Sequence, residues 1–111
     1  MESELKARWI AALRSGNYQQ GAGTLRSASD RYCCLGVLAD IIAPNEWQSQ
    51  DQPGAPYEWG EHSLGTYLPH SILDTEIQSQ LTRMNDSLKT NNEHYNDFNA
   101  IADHIEKRTD I

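Results

Sequence analysis

Long hydrophobic runs and a leader-like N-terminus are missing from this 111-residue sequence. The longest apolar stretch extends from Cys33 to Ala39 and contains Gly36, whereas a membrane span needs about 20 apolar residues. The first residues, MESELKARW, contain no basic region followed by an apolar stretch, so we expect no signal peptide. These absences predict a cytoplasmic protein that does not cross a membrane.

Positive charge is also scarce. The chain carries 9 Lys and Arg residues against 16 Asp and Glu residues, which gives a net charge of −7. Residues 1–32 hold five basic and three acidic residues, whereas residues 33–111 hold four basic and thirteen acidic residues. Nucleic-acid binding depends on cationic side chains that release counterions from phosphates. We therefore expect no direct nucleic-acid binding, and we expect an anionic small molecule to prefer the first third of the chain.

Cysteine is limited to the adjacent residues Cys33 and Cys34. Neighbouring residues of a strand point to opposite faces, so a disulfide between the two would be strained. One interpretation makes them buried apolar residues, because free cysteine is among the most buried residue types. The other makes one of them a nucleophile at the start of a helix, paired with a histidine. No zinc-ligand spacing links the cysteines and histidines, so we predict no metal and no cofactor.

Apolar spacing predicts a helix at the N-terminus. Leu5, Trp9 and Leu13 recur every four residues and would form its buried stripe. Ser3 is the expected cap at its start. Gly16 is the expected left-handed residue just past its end.

Residues 17–43 indicate a loop, a hairpin and a second helix. Residues 17–23 contain two glycines without periodicity and are typical of a loop. Residues 24–26 and 31–33 are β-prone and flank a Ser/Asp turn, which predicts a β-hairpin. Residues 34–43 are apolar at helical spacing and are followed by Pro44, so we predict a central buried helix.

The rest of the chain divides into an irregular segment and a helical end. Residues 44–69 hold all four prolines and the aromatic residues Trp47, Tyr57, Trp59 and Tyr67; a segment of this length is expected to be functional or to carry short strands. Apolar spacing then predicts two C-terminal helices, with a capping box at Thr75 and Gln78 and a cap at Asn96. A polar connection that includes Asn91 and Asn92 joins them. The whole pattern predicts one small α+β domain over residues 1–111.

The glycine-containing loop is the candidate binding site. It lies between Arg14 and Arg26, and a loop of this composition could hold a phosphate and stack a base. The candidate ligand-binding residues are Tyr18, Gln20, Gly21, Gly23, Arg26 and Trp59. The alternative is a linker with solvated arginines. The aromatic residues of the irregular segment form either a binding surface of the kind enriched at interface hot spots or a part of the core.

Four stretches of the chain carry distinctive motifs. They are WIAALRSGNYQQGAGTLR at residues 9–26, YCCLGVLAD at residues 32–40, LTRMND at residues 81–86 and FNAIADHIE at residues 98–106. Together they resemble a small uncharacterised protein family of tailed phages, prophages and bacteria. The resemblance implies a phage context, with the host-cell cytoplasm as the location, and it implies no particular reaction.

These observations predict a phage-type accessory protein that acts by binding and is not an enzyme. The expected role is counter-defence, either by inhibiting a host defence protein or by capturing an anionic, nucleotide-like signal. Two alternatives stay open: an enzyme that uses Cys33 or Cys34 as its nucleophile, and an acidic inhibitor that mimics DNA. The sequence also leaves a homo-oligomer open.

Overall fold

The computed structural model describes residues 1–90 and 93–111 and combines helices with two small sheets. The elements, in chain order, are α1 (Ser3–Arg14), β1 (Gln19–Gln20), β2 (Arg31–Tyr32), α2 (Cys34–Ile42), a 3₁₀ helix (Pro44–Glu46), β3 (Trp47–Gln48), β4 (Glu58–Trp59), α3 (Thr75–Asp86) and α4 (Phe98–Lys107). This architecture confirms the predicted α+β fold class. Asn91 and Asn92, which belong to the predicted polar connection, lie outside the described residues.

Helix α2 forms the centre of the core, as the sequence predicts. Its residues from Cys34 to Ala39 are all buried, and it packs against α1, α3 and β2. Gly36 lies directly against the backbone of Leu25, where a Cβ atom would stand 1.8 Å from the Leu25 carbonyl oxygen. Only glycine therefore lets this helix approach the Leu25 backbone so closely.

Helices α1 and α4 pack together on one side of the core. Trp9 and Leu13 are buried on α1, and the Trp9 indole donates to the Cys34 carbonyl oxygen over 2.9 Å. At the rim, Arg14 bridges Asp103 at 2.5 Å and Glu106 at 3.3 Å. Exposed ion pairs of this kind contribute little stability, so apolar burial holds the two helices together.

The predicted helix caps are wrong by one residue in each case. The sequence predicts caps at Ser3, Thr75 and Asn96, and the structure places them at Glu2, Asp74 and Asp97. The two aspartates accept hydrogen bonds from free amides of the first turn and add a negative charge at the positive helix end. The predicted end of α1 is confirmed, because Gly16 adopts a left-handed φ of 79°.

The predicted hairpin is reduced to one antiparallel bridge, between Arg26 and Tyr32. Strand β2 pairs instead in parallel with β1, in the register Gln19 to Arg31. The predicted loop at residues 17–23 thus contains a strand, which corrects the prediction. Two consecutive glutamines have no alternating pattern that would indicate a strand, and their pairing with residues 31 and 32 gives the backbone groups of both segments hydrogen-bond partners.

Short strands also order the irregular segment. Strands β3 and β4 are antiparallel and place Trp47 opposite Trp59. Further along, the fully buried Gln78 of α3 donates to the carbonyl oxygens of Leu68 and Leu73 and accepts from the Leu68 amide. Gln78 therefore anchors the segment to the helix and does not act in a capping box.

Among the described residues, no helix is both long enough and apolar enough to cross a bilayer.

Candidate functional site

Arg26 lies at the centre of a group of aromatic rings. Its backbone forms antiparallel bridges with Tyr32 on one side and Tyr57 on the other, so the three side chains share one face. The guanidinium carbon is 4.0 Å from the ring centre of Tyr57 and 5.4 Å from the ring centres of Tyr32 and Trp47. All three distances fall within the range of cation–π attraction.

Asp30 neutralises the charge of Arg26. The Nε and Nη2 atoms of Arg26 both donate to Asp30 Oδ1, over 2.9 and 2.7 Å. Asp30 adopts a left-handed φ of 61°, which turns the chain back toward the arginine. The Arg26 side chain is 19% exposed, so the ion pair lies at the edge of the surface and is partly shielded from water.

The rings continue as an edge-to-face series. Tyr18 and Tyr32 are 5.0 Å apart, Tyr32 and Trp47 are 6.1 Å apart, and Trp47 and Tyr57 are 6.4 Å apart, measured between ring centres. Their interplanar angles are all near perpendicular, an arrangement that aromatic pairs favour. All four rings are half-buried. We call Tyr18, Tyr32, Trp47 and Tyr57, together with Arg26, the aromatic surface.

Asp40 holds two of these rings in place through hydrogen bonds. It lies near the end of α2 and accepts from the Tyr18 hydroxyl over 2.6 Å and from the Trp47 indole over 3.0 Å. Partial burial, followed by this hydrogen bond, raises the pKa of Tyr18 well above its usual value. The Tyr18 hydroxyl is therefore a permanent donor at physiological pH, and Tyr18 and Trp47 are held in defined orientations.

The structure brings together only part of the predicted binding site. Tyr18 and Arg26 lie in the aromatic surface. Gln20 instead donates to Asn85 and to the Asn96 carbonyl oxygen, toward the C-terminal helices. Trp59 is 5% exposed and donates to the Ala43 carbonyl oxygen.

The amides of the two glycines of the predicted site are hydrogen-bonded within the protein. The Gly21 amide donates to the Tyr32 carbonyl oxygen over 2.8 Å, and the Gly23 amide donates to Asp86 Oδ1 over 3.2 Å. These backbone donors are already paired and do not form a cradle for a phosphate. A phosphate held by these two amides would have to displace the Tyr32 carbonyl oxygen and the Asp86 carboxylate.

Three members of the site were outside the candidate ligand-binding residues: Tyr32, Trp47 and Tyr57. Trp47 and Tyr57 belong to the aromatic residues that the sequence offers as a possible binding surface, whereas Tyr32 was not singled out. Asp40 is the carboxylate that supports them. The aromatic content of residues 44–69 is visible in the sequence. What brings these residues beside Arg26 is the backbone bridge between residues 26 and 57. A single bridge over that separation leaves no pattern in the sequence.

Both cysteines are buried, in agreement with the interpretation as core residues. The Cys33 sulfur accepts from the Gly36 amide over 3.4 Å. Burial raises the pKa of Cys33 to about 12 and holds that of Cys34 well above its usual value. The nucleophilic form of a thiol is the thiolate, so this environment disfavours the cysteine-enzyme alternative. Within residues 1–90 and 93–111, no three His, Cys, Asp or Glu side chains are grouped for metal binding.

The fold and the site define a small α+β protein with a half-buried Tyr/Trp/Arg surface. Over residues 1–109 the chain matches the family model described as "Domain of unknown function (DUF8296)", and it therefore belongs to this family. None of the curated proteins matches it significantly. None of the solved structures does either.

Proposed function

We propose that this protein acts by binding another protein through the aromatic surface. Tyr, Trp and Arg are the residue types that dominate the energy of protein–protein interfaces, and here they form one continuous group. Asp40 and Asp30 hold them in place before any partner arrives. A preorganised surface loses less side-chain entropy on binding. This preformed group of rings around Arg26 is the observation that carries the proposal.

A protein partner suits this surface better than a nucleotide-like anion. The Arg26 charge is paired with Asp30, and an incoming phosphate would have to displace that carboxylate. The Gly21 and Gly23 amides are paired as well. Of the two partner classes expected from the sequence, the geometry favours the host protein.

In the phage context that the resemblance implies, the partner is a host protein. Inhibition of that protein is the counter-defence role expected from the sequence. Binding at an aromatic surface needs no chemistry from the inhibitor, which is consistent with the buried, protonated thiols.

Affinity purification followed by calorimetry tests the proposal. The full chain carrying a tag is used to isolate partners from bacterial lysate, and the recovered protein is then produced pure and titrated. Tyr57→Ala removes the ring closest to Arg26 and should weaken binding at least about 30-fold, as loss of an interface hot spot does.

Tyr95→Ala is the matched control. Tyr95 is a 64% exposed tyrosine outside the aromatic surface, and its removal should leave the affinity unchanged. Circular dichroism should show that both variants retain the native fold. Equal affinity of the wild-type and Tyr57→Ala proteins for the recovered partner would refute binding through this surface.

A further inference from the structure

A separate cavity of about 410 Å³ lies between the 3₁₀ helix, the end of β4 and the turn at residues 69–72. Half of the residues that line it are apolar, namely Ala43, Trp59, Leu64, Pro69 and Ile72. None of the five aromatic-surface residues contributes to it. We propose that this cavity docks a short protein segment in which an apolar residue has a basic neighbour. The inference does not depend on the binding role of the aromatic surface.

Hydrogen bonds hold the apolar walls of the cavity in place. Trp59 and Leu64 exchange backbone bonds over 2.6 and 2.9 Å, and the Trp59 indole donates to the Ala43 carbonyl oxygen over 3.0 Å. On the other side, the Ile72 amide donates to the Pro69 carbonyl oxygen over 3.0 Å. All of these residues except Trp59 are half-buried, so they still expose apolar surface. An apolar side chain that enters the cavity would remove this surface from water.

Two carboxylates lie together on the rim of the cavity. Glu46 ends the 3₁₀ helix, and its carbonyl oxygen accepts from the Gly60 amide over 3.1 Å, which brings the next residue, Glu61, to the same rim. Both side chains line the cavity and are exposed. Within the described part of the chain, neither forms a salt bridge, and no Lys or Arg is among the lining residues. The rim therefore carries negative charge that a partner can compensate.

The apolar walls and the acidic rim together determine the chemistry of the segment. An apolar side chain fills the cavity, and the basic residue beside it reaches Glu46 and Glu61. Arginine suits this rim, because its planar guanidinium has five N–H donors and can bond two carboxylates at once. An acidic segment would be repelled by the rim. The acidic excess of residues 33–111 attracts a basic segment over a longer distance.

An NMR titration with the capped tripeptide acetyl-Arg-Leu-Arg-amide tests this inference at constant ionic strength. The pH is held at 7.5, where a histidine in water is mostly neutral, because His62 also lines the cavity. Arginine on both sides of the leucine allows either chain direction. We expect saturable shifts of the Gly60, Leu64 and Ile72 amide signals, with a dissociation constant of about 1–10 mM for so small a probe.

Two further peptides separate the apolar contact from the charge. Replacing the leucine by glycine keeps both charges and removes the side chain that fills the cavity. Replacing both arginines by citrulline keeps their shape and removes the charge. Neither peptide should give saturable shifts at these amides in the same concentration range.

Two double variants of equal net charge test the rim. Glu46→Gln with Glu61→Gln removes both rim carboxylates and should weaken binding of the arginine peptide at least about threefold, since each exposed ion pair contributes modestly. Glu4→Gln with Asp51→Asn, at exposed positions outside the cavity, should leave the affinity unchanged. Tyr57→Ala should also bind the peptide as the wild-type protein does, because Tyr57 does not line the cavity.

Any of four outcomes would overturn the inference. Saturable shifts could be absent with the arginine peptide, or the glycine or citrulline peptide could bind equally well. The two double variants could bind with equal affinity, which would reduce the effect to the net charge of the protein. Loss of peptide binding in Tyr57→Ala would assign the peptide to the aromatic surface instead.

Discussion

Single carboxylates determine how the candidate site is organised. Asp40 accepts from two aromatic side chains, and Asp30 accepts twice from Arg26. Asp40 ends the YCCLGVLAD motif and Asp30 lies in the Ser/Asp turn, but neither position reveals its role, because that role depends on partners brought near by folding. Cys33 and Cys34 differ in this respect. Their burial follows from residue type and from the apolar residues after them, and this part of the site environment was predictable.

The buried thiols make stability sensitive to alkaline pH. In the unfolded chain a cysteine loses its proton near a pKa of about 8.5, whereas folding raises the pKa of Cys33 to about 12. Above about pH 9 the unfolded state therefore binds fewer protons than the folded state, and the free energy of unfolding falls as pH rises. The loss should approach about 1.4 kcal/mol per pH unit for each thiol.

Urea unfolding at pH 7.5, 9 and 10 measures this effect, and Cys33→Ala is the comparison. The variant should lose less stability between pH 9 and 10 than the wild-type protein does, because one titrating thiol is gone. At pH 7.5 both thiols are protonated in either state, so their pH-dependent term is absent there. Parallel declines in the two proteins would show that Cys33 does not titrate as a buried group.

At the scale of elements, the helices were predictable and the strand pairing was not. Apolar residues at helical spacing indicate α1, α2, α3 and α4, since each needs a stripe to bury. The caps of α3 and α4 were displaced by one residue because neighbouring Asp, Thr and Asn residues are similar candidates in the sequence, whereas Glu2 at the start of α1 makes no side-chain cap bond. Strands of two residues are too short to show a period in the sequence. The parallel pair β1–β2 forms because the fold brings residues 31–32 beside residues 19–20, with further backbone bonds from Gly21 and Ser27.

The packing of α2 against the backbone of Leu25 gives a sharp test of the fold. Gly36→Ala would place a Cβ atom 1.8 Å from the Leu25 carbonyl oxygen and 2.7 Å from its carbon. Both contacts are with backbone, which cannot rotate away. The helix would have to shift, and we expect a loss of about 3 kcal/mol in the free energy of unfolding despite the better helix propensity of alanine.

Chemical denaturation of Gly36→Ala beside Gly65→Ala measures this cost. A Cβ atom at Gly65 would meet no atom within 4 Å, so the control should change stability by less than about 0.5 kcal/mol. Similar stabilities for the two variants would contradict the close approach of α2 to Leu25.

At the scale of the whole molecule, the aromatic surface combines residues from separate parts of the chain. Residues 18, 26 and 32 come from the weakly basic first third, and residues 47 and 57 come from the irregular segment. The sequence indicates an arginine, a nearby tyrosine and a later aromatic cluster as separate features. These features come together only through the tertiary pairing of Arg26 with Tyr57. Because the sequence does not show this pairing, the predicted site included Trp59, which is in fact buried, in place of Tyr57.

The distribution of charge over the molecule separates the proposed binder from an acidic DNA mimic. A mimic would present the acidic residues of positions 33–111 to a nucleic-acid-binding protein, and its affinity would fall steeply with salt. The Arg26–Asp30 pair compensates the positive charge of the aromatic surface, Asp40 adds one carboxylate that is hydrogen-bonded to Tyr18 and Trp47, and burial of rings depends on apolar contact. We therefore expect partner affinity to change by less than about threefold between 50 and 200 mM NaCl. Binding of a protein to the phosphates of DNA, which a mimic would imitate, weakens by about 10³-fold or more over this range. Calorimetric titrations of the wild-type protein at the two salt concentrations measure the difference. A steep decline with salt, unchanged in Tyr57→Ala, would transfer the binding role from the aromatic surface to the acidic one.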